Sequence, residues 1–233
     1  GKLLDGKNVY ELIQKEKVTF TAAVPTIWLM LFEYLEKTSN KIPSLDRCVV
    51  GGSACPKFMI EKFRDIYSVE VIHAWGMTET SPLGTINKSL PEHVNLNRIE
   101  KDSISIKQGR PMYGIELKIT DDDGRILPND GLSYGNLWVK GPWVCTGYLN
   151  INNSEVHTRD NWFLTGDVAT LDKDGFMLIT DRAKDVIKSG GEWISSIEIE
   201  NIAAGHPGIV EAAVIGVSHK KWDERPLLIL VRN

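Results

Sequence analysis

The sequence predicts an α/β domain whose C-terminal part is mostly β, followed by the start of a small α+β domain. Through about residue 80, helix-like and strand-like segments alternate, which is typical of a parallel sheet flanked by helices. From about Ile104 to Asp181, short strands are separated by turn-forming residues instead. We assign residues 1–183 to part of a large N-terminal domain and residues 184–233 to a hinge and the beginning of a small C-terminal domain.

The elements of the first part follow from apolar periodicity and from one proline. Pro25 stands where the first turn of a helix tolerates proline, and β-branched residues dominate the segment just before it. The predicted helices span Val9–Lys17, Pro25–Thr38 and Pro56–Tyr67. The predicted strands span Val18–Val24, Cys48–Gly51 and Val69–Ala74.

Turn chemistry organises the second part. The sequences Asp122-Asp123-Gly124 and Lys173-Asp174-Gly175 are typical of tight turns, and strands at Asp167–Leu171 and Phe176–Thr180 predict a hairpin around the second. Beyond residue 185 we expect one strand, then a helix capped by Ser195 or Ser196, and two more strands. These last three elements are predicted at Ile197–Ala204, Ile209–Val217 and Leu227–Val231.

Composition excludes several classes of protein. The net charge is −4 and basic residues are scattered, so nucleic acid is not an expected partner. The most apolar stretch, Phe20–Phe32, is too short and too interrupted for a transmembrane helix. Three cysteines at wide spacing predict free thiols and a cytoplasmic location. The chain begins with Gly1 rather than Met and ends in a predicted strand, so we expect both ends to be cut.

Two clusters of small and polar residues follow predicted strands. Val49–Ala54 runs from an apolar strand into Gly51 and Gly52, which suits either close approach of a ligand or an ordinary turn. His73–Glu79 combines an aromatic ring, a glycine, a hydroxyl and a carboxylate. This combination fits a base, a phosphate and Mg²⁺, and it fits equally a polar loop with a half-buried tryptophan.

Three ordered motifs resemble the adenylate-forming superfamily, which includes acyl-CoA synthetases, peptide-synthetase adenylation domains and luciferases. They are WGMTETSP at 75–82, WFLTGD at 162–167 and DRAKDVIKSGGEWISS at 181–196. The resemblance covers essentially the whole chain. Within the superfamily the sequence is similar to fatty-acyl-CoA synthetases, and to the medium-chain and methylthioalkanoate ligases in particular.

The resemblance implies a nucleotide site with a division of roles. Trp75 would stack on adenine, where a tyrosine is usual, and Asp167 would accept hydrogen bonds from the ribose hydroxyls. Thr78 would contact the α-phosphate, and Glu79 would help to hold Mg²⁺ as the metal ligand. Thr78, Glu79 and Lys184 are the implied catalytic residues. The implied nucleotide-binding residues are Gly52, Ser53, His73, Ala74, Trp75, Gly76, Thr78, Asp167, Arg182, Lys184 and Lys188.

The third motif implies a hinge and a CoA site. Lys184 falls at the hinge between the domains, and Lys188 is a candidate phosphate contact. The acyl- and CoA-binding residues implied by the resemblance are Trp28, Gly190, Gly191, Glu192 and Trp193. Trp28 is similar to a tryptophan that gates the acyl tunnel, but a core tryptophan on an apolar helix face is an equal alternative. The sequence around Trp193 favours CoA over a carrier protein as the acceptor.

The resemblance implies an enzyme, an ATP-dependent, AMP-forming acyl-CoA ligase whose substrates are a carboxylic acid, ATP and CoA. A fatty acid is the first expectation, a short methylthioalkanoate such as 3-methylthiopropionate the alternative, and a non-catalytic adenosine-binding module the rival from another class. The family's phosphate loop, TSGTTGxPK, and its C-terminal P-x-x-x-x-G-K segment do not occur in the chain. We therefore expect this chain to be incomplete and inactive. The resemblance also implies that the whole protein forms a homodimer.

Overall fold

The computed structural model describes residues 4–150, 157–158, 160–190 and 192–232. Among them are five α-helices and thirteen strands, arranged in three sheets. The helices are α1 Gly6–Glu16, α2 Pro25–Thr38, α3 Lys57–Tyr67, α4 Arg98–Ser105 and α5 Ser196–Ala204. The strands are β1 Phe20–Ala23, β2 Arg47–Val50, β3 Glu70–Gly76, β4 Leu83–Ile86, β5 Arg110–Pro111, β6 Glu116–Thr120, β7 Tyr134–Lys140, β8 Phe163–Leu171, β9 Met177–Arg182, β10 Ile187–Ser189, β11 Glu192–Ile194, β12 Ile209–His219 and β13 Asp223–Arg232.

The first sheet contains the predicted parallel α/β part. Its order is β1-β2-β3-β4-β5, with β1, β2 and β3 parallel and β4 and β5 antiparallel. Helices α2 and α3 cover it, and their apolar faces form one core with Trp28, Leu31, Phe32, Met59 and Phe63, all at most 2% exposed. The predicted α/β class is confirmed for this part.

The second sheet is the predicted β-rich part. Strands β6-β7-β8-β9 are antiparallel neighbours, and the hairpin between β8 and β9 turns where the sequence predicted it. A second core lies on this sheet, around Ile119, Leu137, Val139 and Met177, which are fully buried.

The third sheet belongs to the segment predicted to begin a small α+β domain. Its order is β11-β10-β13-β12, and α5 packs on it. Ser195, one of the two predicted caps, accepts a hydrogen bond from the Glu198 backbone N–H at 3.1 Å and begins α5. The assigned boundary between residues 183 and 184 stays a prediction.

The start of one helix and the presence of another differ from the prediction because side-chain caps decide them. The first helix begins at Gly6 rather than Val9, since the Asp5 carboxylate accepts from the Asn8 backbone N–H at 2.8 Å. Helix α4 was not predicted; Asn97 caps it and Glu100 bonds back to the Asn97 N–H. Helix α2 has the predicted bounds, Pro25–Thr38.

In the described part of the chain, no helix has both the length and the apolar character needed to cross a bilayer. Cys48, Cys55 and Cys145 are free, as predicted. Burial raises the pKa of the Cys48 thiol to about 12. This thiol is therefore inert as a nucleophile at neutral pH.

Candidate functional site

The candidate site lies where the parallel strands β2 and β3 end. Strand β2 leads into Gly51 and Gly52, and β3 ends at Gly76. Gly52 has φ +82°, and a Cβ atom there would lie 3.0 Å from Val24 Cγ1, so glycine relieves both strain and crowding. The carboxyl ends of parallel strands are the usual place for ligands in such sheets.

A cavity of about 360 Å³ opens at this edge. The loop after β2, the end of β3, and strands β8 and β9 form three of its walls, and helix α5 forms the fourth. Its lining residues are Gly52, Ser53, Ala54, Ala74, Trp75, Gly76, Gln108, Asp167, Ile179, Arg182, Ile197, Glu200 and Asn201. Seven predicted nucleotide-binding residues therefore share one cavity, although they come from distant parts of the sequence.

Among these lining residues, the acidic side chains are Asp167 on β8 and Glu200 on α5. Hydrogen-bond donors contact both oxygens of the Asp167 carboxylate. The Trp75 indole N–H donates to its Oδ2 at 2.8 Å. Arg182 Nη1 contacts its Oδ1 at 2.9 Å from the directly opposite position on β9. Asp167 is 2% exposed, so the carboxylate is fixed at the wall of the cavity.

Burial raises the pKa of the Asp167 carboxyl, and the hydrogen bond from Trp75 and the charge of Arg182 lower it in part. The net direction is upward. The carboxylate is thus desolvated, and additional hydrogen-bond donors from a ligand would favour its ionised form.

The His73 side chain is a structural link rather than part of the cavity wall. Its Nε2 accepts from the Cys55 N–H at 3.2 Å, so the proton resides on Nδ1, which donates to the Ile106 carbonyl at 3.0 Å. Burial lowers its pKa to about 4. The predicted contact between the His73 backbone and a nucleotide stays a prediction. Both nitrogens of the imidazole make their hydrogen bonds within the fold.

Thr78 and Glu79 lie outside this cavity's lining, on the short 3₁₀ turn Thr78–Thr80. Thr78 is exposed and Glu79 is half-buried. The Tyr148 hydroxyl donates to Glu79 Oε1 at 2.6 Å, and this hydrogen bond, together with burial and the Glu79 charge, raises the pKa of Tyr148 to about 12. The phenol therefore stays protonated and anchors the carboxylate.

At the Thr78–Thr80 turn, the protein offers few ligands to a metal ion. Among the described residues, no group of three or more His, Cys, Asp or Glu side chains is arranged to hold a metal ion. The single carboxylate of Glu79 nevertheless fits Mg²⁺ bound mainly through phosphate oxygens and water, which is how Mg²⁺ commonly binds in nucleotide enzymes.

Lys184 lies in the turn between β9 and β10 and lines a neighbouring cavity of about 430 Å³. Arg182, Ile197 and Glu200 line both cavities, so the two adjoin. Lys184 is exposed, and its predicted roles as a hinge and as a catalytic residue stay predictions.

The predicted CoA loop lies on the third sheet. Lys188 Nζ lies 5.2 Å from the centre of the Trp193 ring, and Trp193 lies 5.3 Å from the Tyr134 ring. The Gly190 N–H donates to the Trp222 carbonyl at 3.0 Å. Glu192 pairs with Ser189 through the backbone, and Gly191 lies outside the described residues. Neither Lys188 nor Trp193 is among the described lining residues of the 360 Å³ cavity.

Trp28 lies in the core of the first sheet, 1% exposed and edge-on to Phe63 at 5.5 Å. Its indole N–H has no hydrogen-bond partner among the described residues. This placement fits the core alternative, and the predicted gating role stays a prediction.

Sequence reasoning did not single out Gln108, Glu200 and Asn201. Gln108 is 4% exposed, and its Oε1 accepts from the Ile179 N–H at 2.7 Å, which links the segment before β5 to β9 beside the cavity. A polar residue between two predicted strands carries little signal by itself, and the two α5 residues reach the site only through tertiary packing.

Comparison with known proteins places the chain in a family. The model for AMP-binding enzymes matches residues 1–149, and the model for the AMP-binding enzyme C-terminal domain matches residues 198–233. The chain belongs to the AMP-binding enzyme family. Its fold is also similar to o-succinylbenzoate CoA synthetase from Bacillus subtilis in complex with the acyl-adenylate intermediate OSB-AMP, with a TM-score of 0.80 and 32% identity over 98% of this chain and 44% of that one.

Two relatives have higher sequence identity. The chain is 55% identical to a medium-chain-fatty-acid–CoA ligase of Ectopseudomonas oleovorans over 233 residues, which is 100% of this chain and 42% of the relative. It is 53% identical to a 3-methylmercaptopropionyl-CoA ligase of Ruegeria lacuscaerulensis over 232 residues, which is 100% of this chain and 43% of the relative. The chain thus spans less than half the length of these AMP-binding relatives.

Proposed function

We propose that the protein containing this chain is an ATP-dependent, AMP-forming acyl-CoA ligase. In the first step, a carboxylate oxygen of the acid attacks the α-phosphorus of ATP, which forms an acyl-adenylate and releases pyrophosphate. In the second step, the CoA thiol attacks the acyl carbonyl, which forms the thioester and releases AMP. The names of the relatives, all CoA ligases, support this chemistry.

The observation that carries the proposal is the buried Asp167 carboxylate in the wall of a cavity at the ends of β2 and β3. A carboxylate has about four lone-pair sites, and Trp75 and Arg182 use two of them. The remaining two match the two hydroxyls of a ribose. Charge-assisted hydrogen bonds of this kind contribute about 1.5–3 kcal/mol each.

The phosphates would lie toward the Thr78–Thr80 turn. Thr78 offers an exposed hydroxyl for the α-phosphate, and Glu79 offers a carboxylate that Tyr148 orients. Bound Mg²⁺ would neutralise charge that develops on the phosphate oxygens. Arg182, which is half exposed at 51%, has donors left for a phosphate or for the ribose.

The segment from Lys184 onward would act in the second step. We propose that the domain boundary at 183 and 184 is a hinge, as the resemblance implies. Rotation there would carry Lys188, Gly190, Gly191, Glu192 and Trp193 toward the adenylate for CoA to enter. The predicted thioester acceptor is CoA rather than a carrier protein.

Two acid classes are supported almost equally. One relative is a medium-chain-fatty-acid ligase at 55% identity and the other a 3-methylmercaptopropionyl-CoA ligase at 53%. We propose a fatty acid as the first candidate and a short methylthioalkanoate as the second.

A cytoplasmic location is proposed because the three cysteines are free thiols, and a homodimer stays a prediction.

The experiment is CoA-dependent AMP release by the full-length protein, measured with methylthiopropionate, butyrate, octanoate and myristate. Release above background supports the ligase, and the preferred acid identifies the substrate class. AMP binding without release for any acid contradicts the ligase and favours a non-catalytic adenosine-binding module. AMP release that requires a carrier-protein thiol in place of CoA contradicts the proposed acceptor.

A further inference from the structure

The indole N–H of Trp75 and the Asp167 carboxylate form a buried hydrogen bond across 92 residues of sequence, with 2.8 Å between Nε1 and Oδ2. We propose that Trp75 is a positioning residue for ribose recognition, because its indole N–H fixes Asp167 in the orientation that accepts the ribose hydroxyls. This role is separate from any stacking of its ring on the base. The inference rests on the proposed function, since it needs a nucleotide in the cavity.

The Trp75 ring has little freedom to turn away from Asp167. Its backbone pairs with Thr85 on β4, and the ring packs against Gly84, where an added Cβ atom would lie 2.3 Å from Cζ3. Trp75 is 7% exposed. An indole is a hydrogen-bond donor only, so the N–H in this fixed ring must point at an acceptor, and Asp167 Oδ2 is that acceptor.

Asp167 is also held from its own side. Its backbone N–H donates to the Thr165 hydroxyl at 3.1 Å, and Arg182 contacts Oδ1. The Arg182 side chain is exposed, so water screens its ion pair with Asp167, whereas the hydrogen bond from Trp75 is buried. Trp75 therefore makes the contact that fixes Oδ2, and its loss would let the carboxylate turn toward Arg182 alone.

Stacking and positioning predict different responses to changes in the ligand. Phenylalanine at position 75 keeps an aromatic face and removes the N–H. If Trp75 only stacks, the change weakens every adenine nucleotide by the same factor. If Trp75 positions Asp167, the change weakens ATP more than 2′,3′-dideoxy-ATP, which offers Asp167 no hydroxyl.

The test measures the dissociation constants of ATP and 2′,3′-dideoxy-ATP for the full-length protein, the Trp75→Phe variant and a Trp138→Phe control. Trp138 on β7 donates its indole N–H to the Thr120 hydroxyl on β6 at 3.0 Å, and neither residue lines the cavity, so this control removes an indole hydrogen bond outside the site. For Trp75→Phe we expect ATP to bind about tenfold more weakly, with a clearly smaller loss for the dideoxy nucleotide. Trp138→Phe should leave the ratio of the two constants unchanged.

Two further measurements keep the inference falsifiable. Trp75→3-benzothienylalanine replaces the N–H by sulfur in a ring of nearly the same shape, so it gives the same comparison if Trp75→Phe does not fold. In an Asp167→Ala background, Trp75→Phe should have no further effect on the ratio, as expected of a residue that acts through Asp167.

Equal losses for both nucleotides, or an effect that persists in the Asp167→Ala background, overturn the positioning role and leave the proposed ligase intact. A wild-type protein that binds ATP and the dideoxy nucleotide equally well contradicts the assignment of Asp167 to the ribose. That outcome overturns this inference together with the part of the proposed function on which it rests.

Discussion

The Asp181 carboxylate accepts two hydrogen bonds from Ser196, from the backbone N–H at 2.7 Å to Oδ2 and from the hydroxyl at 3.1 Å to Oδ1. Asp181 is on β9 and Ser196 is the first residue of α5, so one buried side chain joins the second sheet to the helix that forms a wall of the cavity. The negative charge also lies at the positive end of the helix.

We expect Asp181→Ala to loosen α5 because it leaves the Ser196 N–H without its acceptor at a buried position. The expected cost is about 2–4 kcal/mol, for two hydrogen bonds to a charged group at a helix N-terminus. Hydrogen exchange of the α5 amides, compared between wild type and variant, measures this local opening directly.

Asp185→Ala is the matched control, since Asp185 is an exposed carboxylate in the following turn. It should leave exchange in α5 unchanged. Equal protection of α5 in Asp181→Ala and wild type would mean that the contact contributes nothing to the placement of the helix.

Asp167→Asn should weaken ATP binding and leave the apo fold as stable as before, or more stable. Because the pKa of Asp167 is raised in the fold, its contribution to stability is present below the unfolded pKa and is lost as pH rises through the folded pKa. At pH 7.5 the buried charge is therefore a net cost, which the amide removes. Thermal unfolding and ATP titration at pH 7.5 measure the two effects.

Asp172→Asn is a control of the opposite sign. Burial raises the pKa of Asp172, but a hydrogen bond from Lys107 and backbone N–H groups outweigh burial and lower it overall. Its contribution to stability is present above the unfolded pKa, so this variant should unfold at a lower temperature at pH 7.5. A fall in unfolding temperature in Asp167→Asn as large as that in Asp172→Asn would contradict the expectation that Asp167→Asn does not destabilise the fold.

The buried imidazole of His73 should make the fold sensitive to mild acid. Its pKa is about 4 in the fold against 6.5 in a model peptide, so between these values the unfolded chain binds a proton that the folded chain does not. Stability should fall as pH drops from about 6.5 to about 4, by an amount on the order of 3 kcal/mol. Unfolding temperature measured across this range detects the loss.

His73→Gln should be less stable at pH 7 but should show a shallower loss between pH 6.5 and 4, because the titrating group is gone. His219→Gln changes an exposed imidazole and should retain the wild-type slope. If His73→Gln keeps the full acid dependence, another group controls it.

Gly84→Ala should disturb the site through the Trp75 ring. The added methyl group would lie 2.3 Å from Cζ3, so the ring has to move away from Gly84, which disturbs the indole hydrogen bond to Asp167. We expect a destabilisation of about 1–3 kcal/mol, as for other overpacked cores, and at least tenfold weaker ATP binding. Gly205→Ala, at a position with ordinary φ and contacts of 3.4 Å or more, is the control and should bind ATP normally.

Many elements of the fold are determined by short-range features of the sequence. Pro25 at a helix start, the Lys173-Asp174-Gly175 turn and the Ser195 cap each have a short-range cause, and the structure has each of them where it was predicted. The limits of α1 and the existence of α4 depended on Asp5 and Asn97, whose side-chain hydrogen bonds a periodicity argument does not detect.

The motifs predicted seven of the residues that line the cavity, but not the contacts among them. The motifs named Trp75, Asp167 and Arg182 separately, yet only the arrangement of strands β3, β8 and β9 brings the indole N–H and the guanidinium to opposite oxygens of one carboxylate. The same packing turns the His73 imidazole toward Cys55 and Ile106 and puts Trp28 against Phe63.

The sequence by itself determined the family, the alternation of helices and strands in the first part, and which residues are candidates for nucleotide chemistry, because motifs and local propensities depend on neighbours in the chain. Tertiary structure alone decided that α5 forms a wall of the cavity, that Asp181 holds it there, and that Trp75 donates to Asp167. Those relationships join residues far apart in sequence, and burial determines which donor each acceptor meets, so no local pattern encodes them.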